Sequence, residues 1–182
     1  MKNIIAAALL LATAGTVSAQ NFMTRTGKIS FNATVPKSPD KVEAVNNEVA
    51  TIVNANGTIV FQVLVKSFKF EKALMQEHFN ENYMESDKFP KSEFKGNIVN
   101  IGDMNLTKDG DYPATVKGKL TIHGVTKEVS VPGSITVKGK NIRLKAKFAV
   151  ALKEYGIKIP DLVADKLAKE AQIALECDLA QK

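Results

Sequence analysis

The sequence is poor in the residues that build metal sites and disulfides. Its 182 residues include one cysteine, Cys177, two histidines, His78 and His123, and no tryptophan. A single cysteine cannot form an intramolecular disulfide, and a zinc site with four cysteines, or with two cysteines and two histidines, is excluded by count. We therefore expect no metal and no cofactor. We interpret Cys177 as a small buried apolar residue rather than a reactive thiol or an intermolecular disulfide.

Recognisable catalytic motifs are also missing. The sequence contains no G-x-S-x-G elbow, P-loop, dinucleotide-binding fingerprint, H-E-x-x-H or C-x-x-C motif. Neither histidine lies beside a Gly-Ser turn that could hold a nucleophile. We expect His78 to be hydrogen-bonded on an amphipathic helix and His123 to occupy a hairpin turn. The chain is therefore expected not to be an enzyme.

Basic residues are in modest excess but are scattered along the chain. Lysine and arginine number 25 against 19 acidic residues, which gives a formal net charge of +6. No stretch of five consecutive basic residues occurs. This distribution favours an ordinary solvated surface over a nucleic-acid-binding or membrane-binding patch. We expect no nucleic-acid partner.

Long hydrophobic runs are absent except near the N-terminus. Lys2 precedes an apolar run from Ile4 to Ala12, and Val17-Ser18-Ala19 has a small-x-small cleavage pattern. The run is too short to span a bilayer and is typical of a secretory signal peptide. We interpret residues 1–19 as that peptide and residues 20–182 as a single exported domain. No cysteine follows the run, which argues against a lipoprotein anchor.

Apolar and polar residues alternate along much of the remaining chain. The pattern is clear in residues 27–35, 114–122 and 141–153. It is typical of antiparallel strands with one face in the core and one in water. The longest case places six apolar residues on one face: Ile142, Leu144, Ala146, Phe148, Val150 and Leu152.

Turn residues separate these segments at hairpin distances. Asn56-Gly57, His123-Gly124 and Gly139 each stand between two apolar runs. About eight strands in sequential hairpins predict an all-β fold with short helices, either an up-and-down barrel or a sandwich. An eight-stranded barrel holds either its own side chains or one small ligand.

Two segments depart from the alternation. Residues 71–80 predict a helix, and residues 161–167 predict a second, shorter one. Residues 173–179 alternate again and predict a final strand, although one helix from Asp161 to Leu179 is the alternative. Near Lys66-Ser67 the apolar residues change face, which predicts a bulge or a bend.

Aromatic and methionine side chains are concentrated between Phe68 and Phe94. This composition fits ordinary core packing at the covered end of a barrel. It also fits an apolar pocket whose methionine side chains adapt to a flexible ligand. Composition alone leaves both interpretations open.

Several motifs, in one order along the chain, resemble the YceI-like family. They are FEKALMQEHFN at 70–80, YMES at 83–86, KFP at 88–90, FKG at 94–96, GKLTIHGVTK at 118–127 and YGI at 155–157, preceded by GKISF at 27–31 and EAVNN at 43–47. The resemblance covers about Thr24 to Leu179. It implies an eight-stranded antiparallel lipocalin-like barrel in the bacterial periplasm that encloses a long apolar lipid. The ligand classes are a polyisoprenoid, a quinone or a fatty-acid-like molecule, and a homodimer is a further expectation.

The resemblance also implies candidate ligand-binding residues. Positions inside or beside the matching motifs are Phe68, Phe70, Leu74, Met75, Phe79, Tyr83, Phe89, Phe94 and Ile122. Alternation alone adds Phe31, Phe61, Phe148 and Val150. We expect non-catalytic binding, storage or transport of an isoprenoid or similar lipid. The alternatives are a structural or interaction module with a filled barrel, and a lipid-modifying enzyme that uses His78 or His123.

Overall fold

The computed structural model describes residues 21–182, and the signal peptide expected at residues 1–19 lies outside them. The described chain consists mainly of strands, with a single short α-helix, α1, at Ala73–His78. The strands are β1 (Asn21–Thr34), β2 (Glu43–Asn54), β3 (Thr58–Leu64), β4 (Lys69–Phe70), β5 (Lys91–Ile98), β6 (Gly110–Ile122), β7 (Val125–Lys138), β8 (Asn141–Ala151) and β9 (Leu167–Gln181). Within these residues, no helix has the length and apolar character needed to cross a membrane.

The eight long strands close into an antiparallel barrel. Their order is β1-β9-β8-β7-β6-β5-β3-β2, and β2 pairs again with β1. The two-residue strand β4 adds a short pairing to β2. This closed sheet confirms the predicted barrel and excludes a two-sheet sandwich. Closure leaves no exposed edge in the main wall, apart from the ends of individual strands.

The predicted hairpin turns are confirmed. Gly57 has a φ of +88°, and its N–H donates to the carbonyl of Asn54 at 2.9 Å. His123 and Gly124, between β6 and β7, have φ values of +51° and +76°. Two consecutive positive φ values give the twist that a two-residue hairpin turn needs.

The segments that break the alternation differ in detail from the prediction. The helix begins at Ala73, ends at His78, and continues as a π-helical turn over Phe79–Tyr83. The change of face near Lys66 is a 3₁₀ turn, Val65–Ser67, rather than a bulge. Only Asp161–Val163 is helical in the second segment. The single long helix is wrong, because β9 pairs with β1 and β8 on both sides and so satisfies its backbone in the sheet.

The two ends of the barrel differ in how they are covered. One end, here the closed end, carries the short turns 55–57 and 139–140 and the connection 99–109, and large side chains fill it. The side chains that fill it are no more than 2% exposed: Phe22, Val53, Val137, Ile142 and Leu179. The opposite end, here the open end, carries the long connections 35–42, 65–90 and 152–166. The buried core therefore extends through both halves of the barrel, from Phe22 at the closed end to Phe79 at the open end.

Candidate functional site

An apolar cavity of about 170 Å³ lies inside the barrel. Seven of the eight long strands contribute lining residues, and the lining is apolar or glycine apart from Ser92, Glu93, Ser134 and Lys145. The alternation of the strands explains this lining, because every second residue of a barrel strand points inward. We call this space the inner cavity.

A second cavity, of about 440 Å³, lies at the open end. Its walls come from the connection before β2, from α1 and the π-helical turn, and from the segment between β8 and β9. Its lining includes five side chains with hydrogen-bonding or charged groups: Ser38, Asp40, His78, Tyr83 and Lys166. We call this space the outer cavity.

Five residues line both cavities, and we call them the neck. They are Phe31, Phe79, Met84, Leu152 and Ile157. The central one is Phe79, whose ring centroid lies 5.7 Å from that of Phe31, 5.5 Å from Phe68 and 5.0 Å from Phe70. Aromatic rings at these separations attract one another beyond the effect of burial alone. The neck therefore lies between an apolar cavity and a more polar one, and a cluster of phenylalanine rings surrounds its central residue.

Local structure explains why Phe79 reaches the neck. The helix α1 has six residues, and the π-helical turn that follows contains Phe79 as its buried residue. Residues four apart share a helix face, so Met75 and Phe79 line the outer cavity together. The other i,i+4 pair, Leu74 and His78, is exposed, although His78 still lines the outer cavity.

The structure divides the thirteen expected ligand-binding residues into three groups. Eight line the inner cavity: Phe31, Phe61, Phe68, Phe79, Phe94, Ile122, Phe148 and Val150. Three more line the outer cavity: Phe70, Met75 and Tyr83. Leu74 and Phe89 line neither; Leu74 is 61% exposed, and Phe89 packs against His123 with ring centroids 4.7 Å apart. The ligand-binding role of all thirteen stays a prediction.

Sequence reasoning missed three of the five neck residues. Met84, Leu152 and Ile157 belong to connections at the open end rather than to the inward face of a strand. Leu152 ends the alternating segment, and Ile157 lies in the YGI motif. These signals were present, but only the folded arrangement of the connections shows that they meet around Phe79.

The charged groups of the outer cavity are partly paired. The Lys72 ammonium lies 2.6 Å from the carboxylate of Asp40. Hydrogen bonding and attraction from Lys72, with a smaller contribution from Lys166, hold the pKa of Asp40 below its ordinary value. Both partners of this ion pair are more than half exposed, so the pair shapes the rim without contributing much to stability.

The histidines and the cysteine have distinct surroundings. His123 lies outside both cavities, with Nε2 2.7 Å from a Glu85 oxygen and Nδ1 3.2 Å from the Tyr155 carbonyl oxygen. Cys177 is buried, and burial raises the pKa of its thiol. Within residues 21–182, no group of three or more His, Cys, Asp or Glu side chains is arranged to hold a metal ion.

Comparisons with known proteins agree with this architecture. The sequence model of the YceI-like domain family matches residues 12–179. No curated protein sequence matches the chain.

Solved structures with the same fold come from several bacteria. A polyisoprenoid binding domain from Saccharophagus degradans, implicated in plant cell wall breakdown, has a TM-score of 0.76 at 10% identity and covers 89% of this chain and 98% of its own. BcnA of Burkholderia cenocepacia has a TM-score of 0.69 at 18% identity, with 85% and 96% covered. The YceI protein of Campylobacter jejuni has a TM-score of 0.51 at 13% identity, with 99% and 91% covered. At these identities the likeness establishes the fold.

Proposed function

This chain belongs to the YceI-like domain family, and from that membership and its apolar inner cavity we propose that it binds a long apolar lipid of the isoprenoid class. In this proposal the protein stores or carries the lipid and performs no chemistry on it. It does so in the periplasm, after export directed by residues 1–19. The description of one structural neighbour as a polyisoprenoid binding domain supports the choice of ligand class.

The observation that carries the proposal is the apolar inner cavity, which shares five lining residues with the outer cavity. The inner cavity offers a lining of apolar side chains, which favours a hydrocarbon chain over a polar metabolite. Each buried methylene contributes about 0.8 kcal/mol, so a few isoprene units provide enough free energy to exceed the cost of association. The chain of the lipid would occupy the inner cavity, and its polar end would lie in the outer cavity near Ser38, His78 and Lys166.

The first test is organic extraction of the purified protein followed by mass spectrometry. We expect a stoichiometric isoprenoid in the extract. A fatty-acid-like molecule or a quinone would retain the lipid-binding role and change the ligand class. An empty extract, together with no uptake of added geranylgeraniol, would contradict the proposal and favour the interaction module.

The second test fills the inner cavity by mutation. Ala146 lines this cavity from β8, whereas Ala149 is exposed on the outer face of the same strand. We expect Ala146→Phe to reduce the fluorescence enhancement of the apolar probe N-phenyl-1-naphthylamine at least about tenfold, because the new ring occupies the chamber. The matched variant Ala149→Phe should bind the probe as the wild type does. Equal binding by two folded variants would show that the probe binds elsewhere.

The homodimer expected from the resemblance is tested separately, by multi-angle light scattering of the purified protein. A monomeric mass would remove the dimer and leave lipid binding unaffected, because both cavities are built within one chain.

A further inference from the structure

His123 connects three segments that meet beside the neck. Its own turn joins β6 to β7. Its Nε2 lies 2.7 Å from a carboxylate oxygen of Glu85, which follows the π-helical turn. Its Nδ1 lies 3.2 Å from the carbonyl oxygen of Tyr155, the last residue of the 3₁₀ helix that begins at Leu152. The side chain is only 11% exposed, so water replaces these partners poorly.

The segments joined by His123 are those that supply neck residues. Met84 immediately precedes Glu85, and Leu152 opens the 3₁₀ helix that ends at Tyr155. Both Met84 and Leu152 line the inner and the outer cavity. A change in the contacts of His123 therefore acts on two walls of the neck.

Both partners of the imidazole ring are hydrogen-bond acceptors. A backbone carbonyl never donates, and an ionised carboxylate only accepts. A neutral imidazole has one N–H and can satisfy only one of these partners. The imidazolium has two N–H groups and satisfies both. Both hydrogen bonds, to Glu85 and to the Tyr155 carbonyl, can therefore form only when the ring carries two protons.

The backbone on both sides of this contact is in the left-handed region. Glu85 and His123 have φ values of +42° and +51°, a region that residues other than glycine adopt at some cost. Gly124 has a φ of +76°, and a Cβ there would lie 2.5 Å from the ring of Phe89. Phe89 in turn contacts the His123 ring edge-on. The turn and the segment 84–89 are thus held against each other through His123 and Phe89.

The other charged groups near the ring contact Glu85, Phe89 or Lys127 and not the ring itself. Lys88 lies 3.9 Å from the second oxygen of Glu85, and its ammonium is 4.9 Å from the Phe89 ring centroid. Glu154, beside Tyr155, forms an ion pair with Lys127 of β7 at 3.1 Å. Among the described residues, Glu85 is the carboxylate that contacts the His123 ring.

We propose that doubly protonated His123 clamps the neck by holding the segments of Glu85 and Tyr155 together, and that loss of one ring proton loosens this clamp. The inference rests on the proposed function for its consequence, which is faster entry and release of the lipid past the neck when the ring is neutral. A lower pH would then retain the ligand and a higher pH would release it.

The decisive variant is Glu85→Gln. A glutamine amide donates a hydrogen bond to the Nε2 of a neutral ring while Nδ1–H still donates to Tyr155, so the clamp survives deprotonation. The matched control is Glu154→Gln, which makes the same chemical change one residue from Tyr155 without touching the ring.

Hydrogen exchange of the ligand-free protein gives the first readout. The amides of Lys88 and Phe89 donate to the carbonyl of Glu85 at 2.8 and 2.9 Å and report on this segment. Between about pH 5.5 and 7.5 we expect their protection, corrected for intrinsic exchange, to fall about fivefold, as for loss of one hydrogen bond. Glu154→Gln should behave as the wild type, and Glu85→Gln should show no fall. A fall of equal size in Glu85→Gln, or none in the wild type, would overturn the clamp.

A second readout requires no variant. In nitrogen NMR of the wild type, His123 should show two ring N–H groups where the segment is protected and one where the protection has fallen. Two ring N–H groups throughout the interval would overturn the proposal. Release of N-phenyl-1-naphthylamine should accelerate over the same interval in the wild type and in Glu154→Gln only. If the hydrogen-exchange pattern is as predicted but the probe does not bind, the lipid-binding function is contradicted and the clamp still stands.

Discussion

At Gly27 the barrel wall has a close approach that requires a residue without a side chain. Gly27 of β1 faces Cys177 of β9, and a Cβ at Gly27 would overlap the Cys177 sulfur and lie 3.1 Å from the carbonyl oxygen of Val49. We expect Gly27→Ala to lower the free energy of unfolding by about 1–3 kcal/mol, the usual cost of overpacking. Urea denaturation measures this difference. Gly102→Ala is the control, because a Cβ at Gly102 meets no atom within 4 Å; equal losses in both variants would contradict the argument.

The thiol of Cys177 should not react with thiol reagents in the folded protein. Its sulfur is fully buried and accepts a hydrogen bond from the Thr51 hydroxyl at 3.5 Å. Burial raises the pKa of the thiol, so the reactive thiolate is scarce at neutral pH. We expect Ellman's reagent to titrate one thiol in urea and none within minutes in native buffer. Rapid reaction of the native protein would show that this part of the wall opens readily.

The sequence predicted the environment of Cys177 but not the position of every aromatic residue. A lone cysteine is most often buried, and Cys177 is. Phe89 lies in a motif and is aromatic, yet it packs on His123 outside both cavities. Its place depends on the fold of the 84–89 segment, which has no periodic pattern to reveal it.

Among the secondary-structure elements, α1 and its π-helical turn offer a test of which face covers the barrel. Phe79 is 8% exposed and lies among three other phenylalanine rings, whereas Leu74 is 61% exposed. We expect Phe79→Ala to lower the free energy of unfolding by about 3–5 kcal/mol and Leu74→Ala to change it by less than about 0.5 kcal/mol. Chemical denaturation of the two variants under one condition makes the comparison. A large effect at Leu74 would mean that this helix face is covered by another surface.

The strands were predictable for a simple physical reason, and the helical segments were less so. In β8 every second residue faces the core, so the alternation survives along nearly the whole strand. The helical pattern of residues 71–80 allows two faces, Leu74 with His78 or Met75 with Phe79. Only packing against Phe31 and Phe68 selects the second pair. The π-helical turn has no sequence signal of its own.

At the scale of the whole molecule, the alternation of apolar and polar residues does not predict that the barrel closes or that it contains a cavity. An inward residue of β8 such as Ile142 fills the closed end, while Phe148 of the same face lines the inner cavity. The difference comes from the register of the barrel and from the neighbours across it. Alternation therefore predicted the inward face and could not divide it between core and cavity.

The raised pKa values of two buried groups predict how the free energy of unfolding changes at alkaline pH. Burial raises the pKa of the Cys177 thiol and, with a smaller effect of Glu154, that of the Tyr155 phenol, from ordinary values of 9.0 and 10.0. The folded state therefore holds these protons more tightly than the unfolded chain does. These two groups do not lower the free energy of unfolding at a pH below their ordinary pKa values. The free energy of unfolding falls as the pH rises above about 9, because the groups ionise first in the unfolded chain and stabilise it.

We expect the urea midpoint of the wild type to fall between about pH 9 and 10.5 as these groups ionise in the unfolded chain. A Cys177→Ala, Tyr155→Phe double variant starts from a lower midpoint, because it leaves a small void and an unpartnered Thr51 hydroxyl. It should nevertheless lose less over this interval, since neither replacement titrates. Parallel losses in the two proteins would assign the alkaline sensitivity to the lysine-rich surface, whose charge falls over the same range, rather than to the two buried groups.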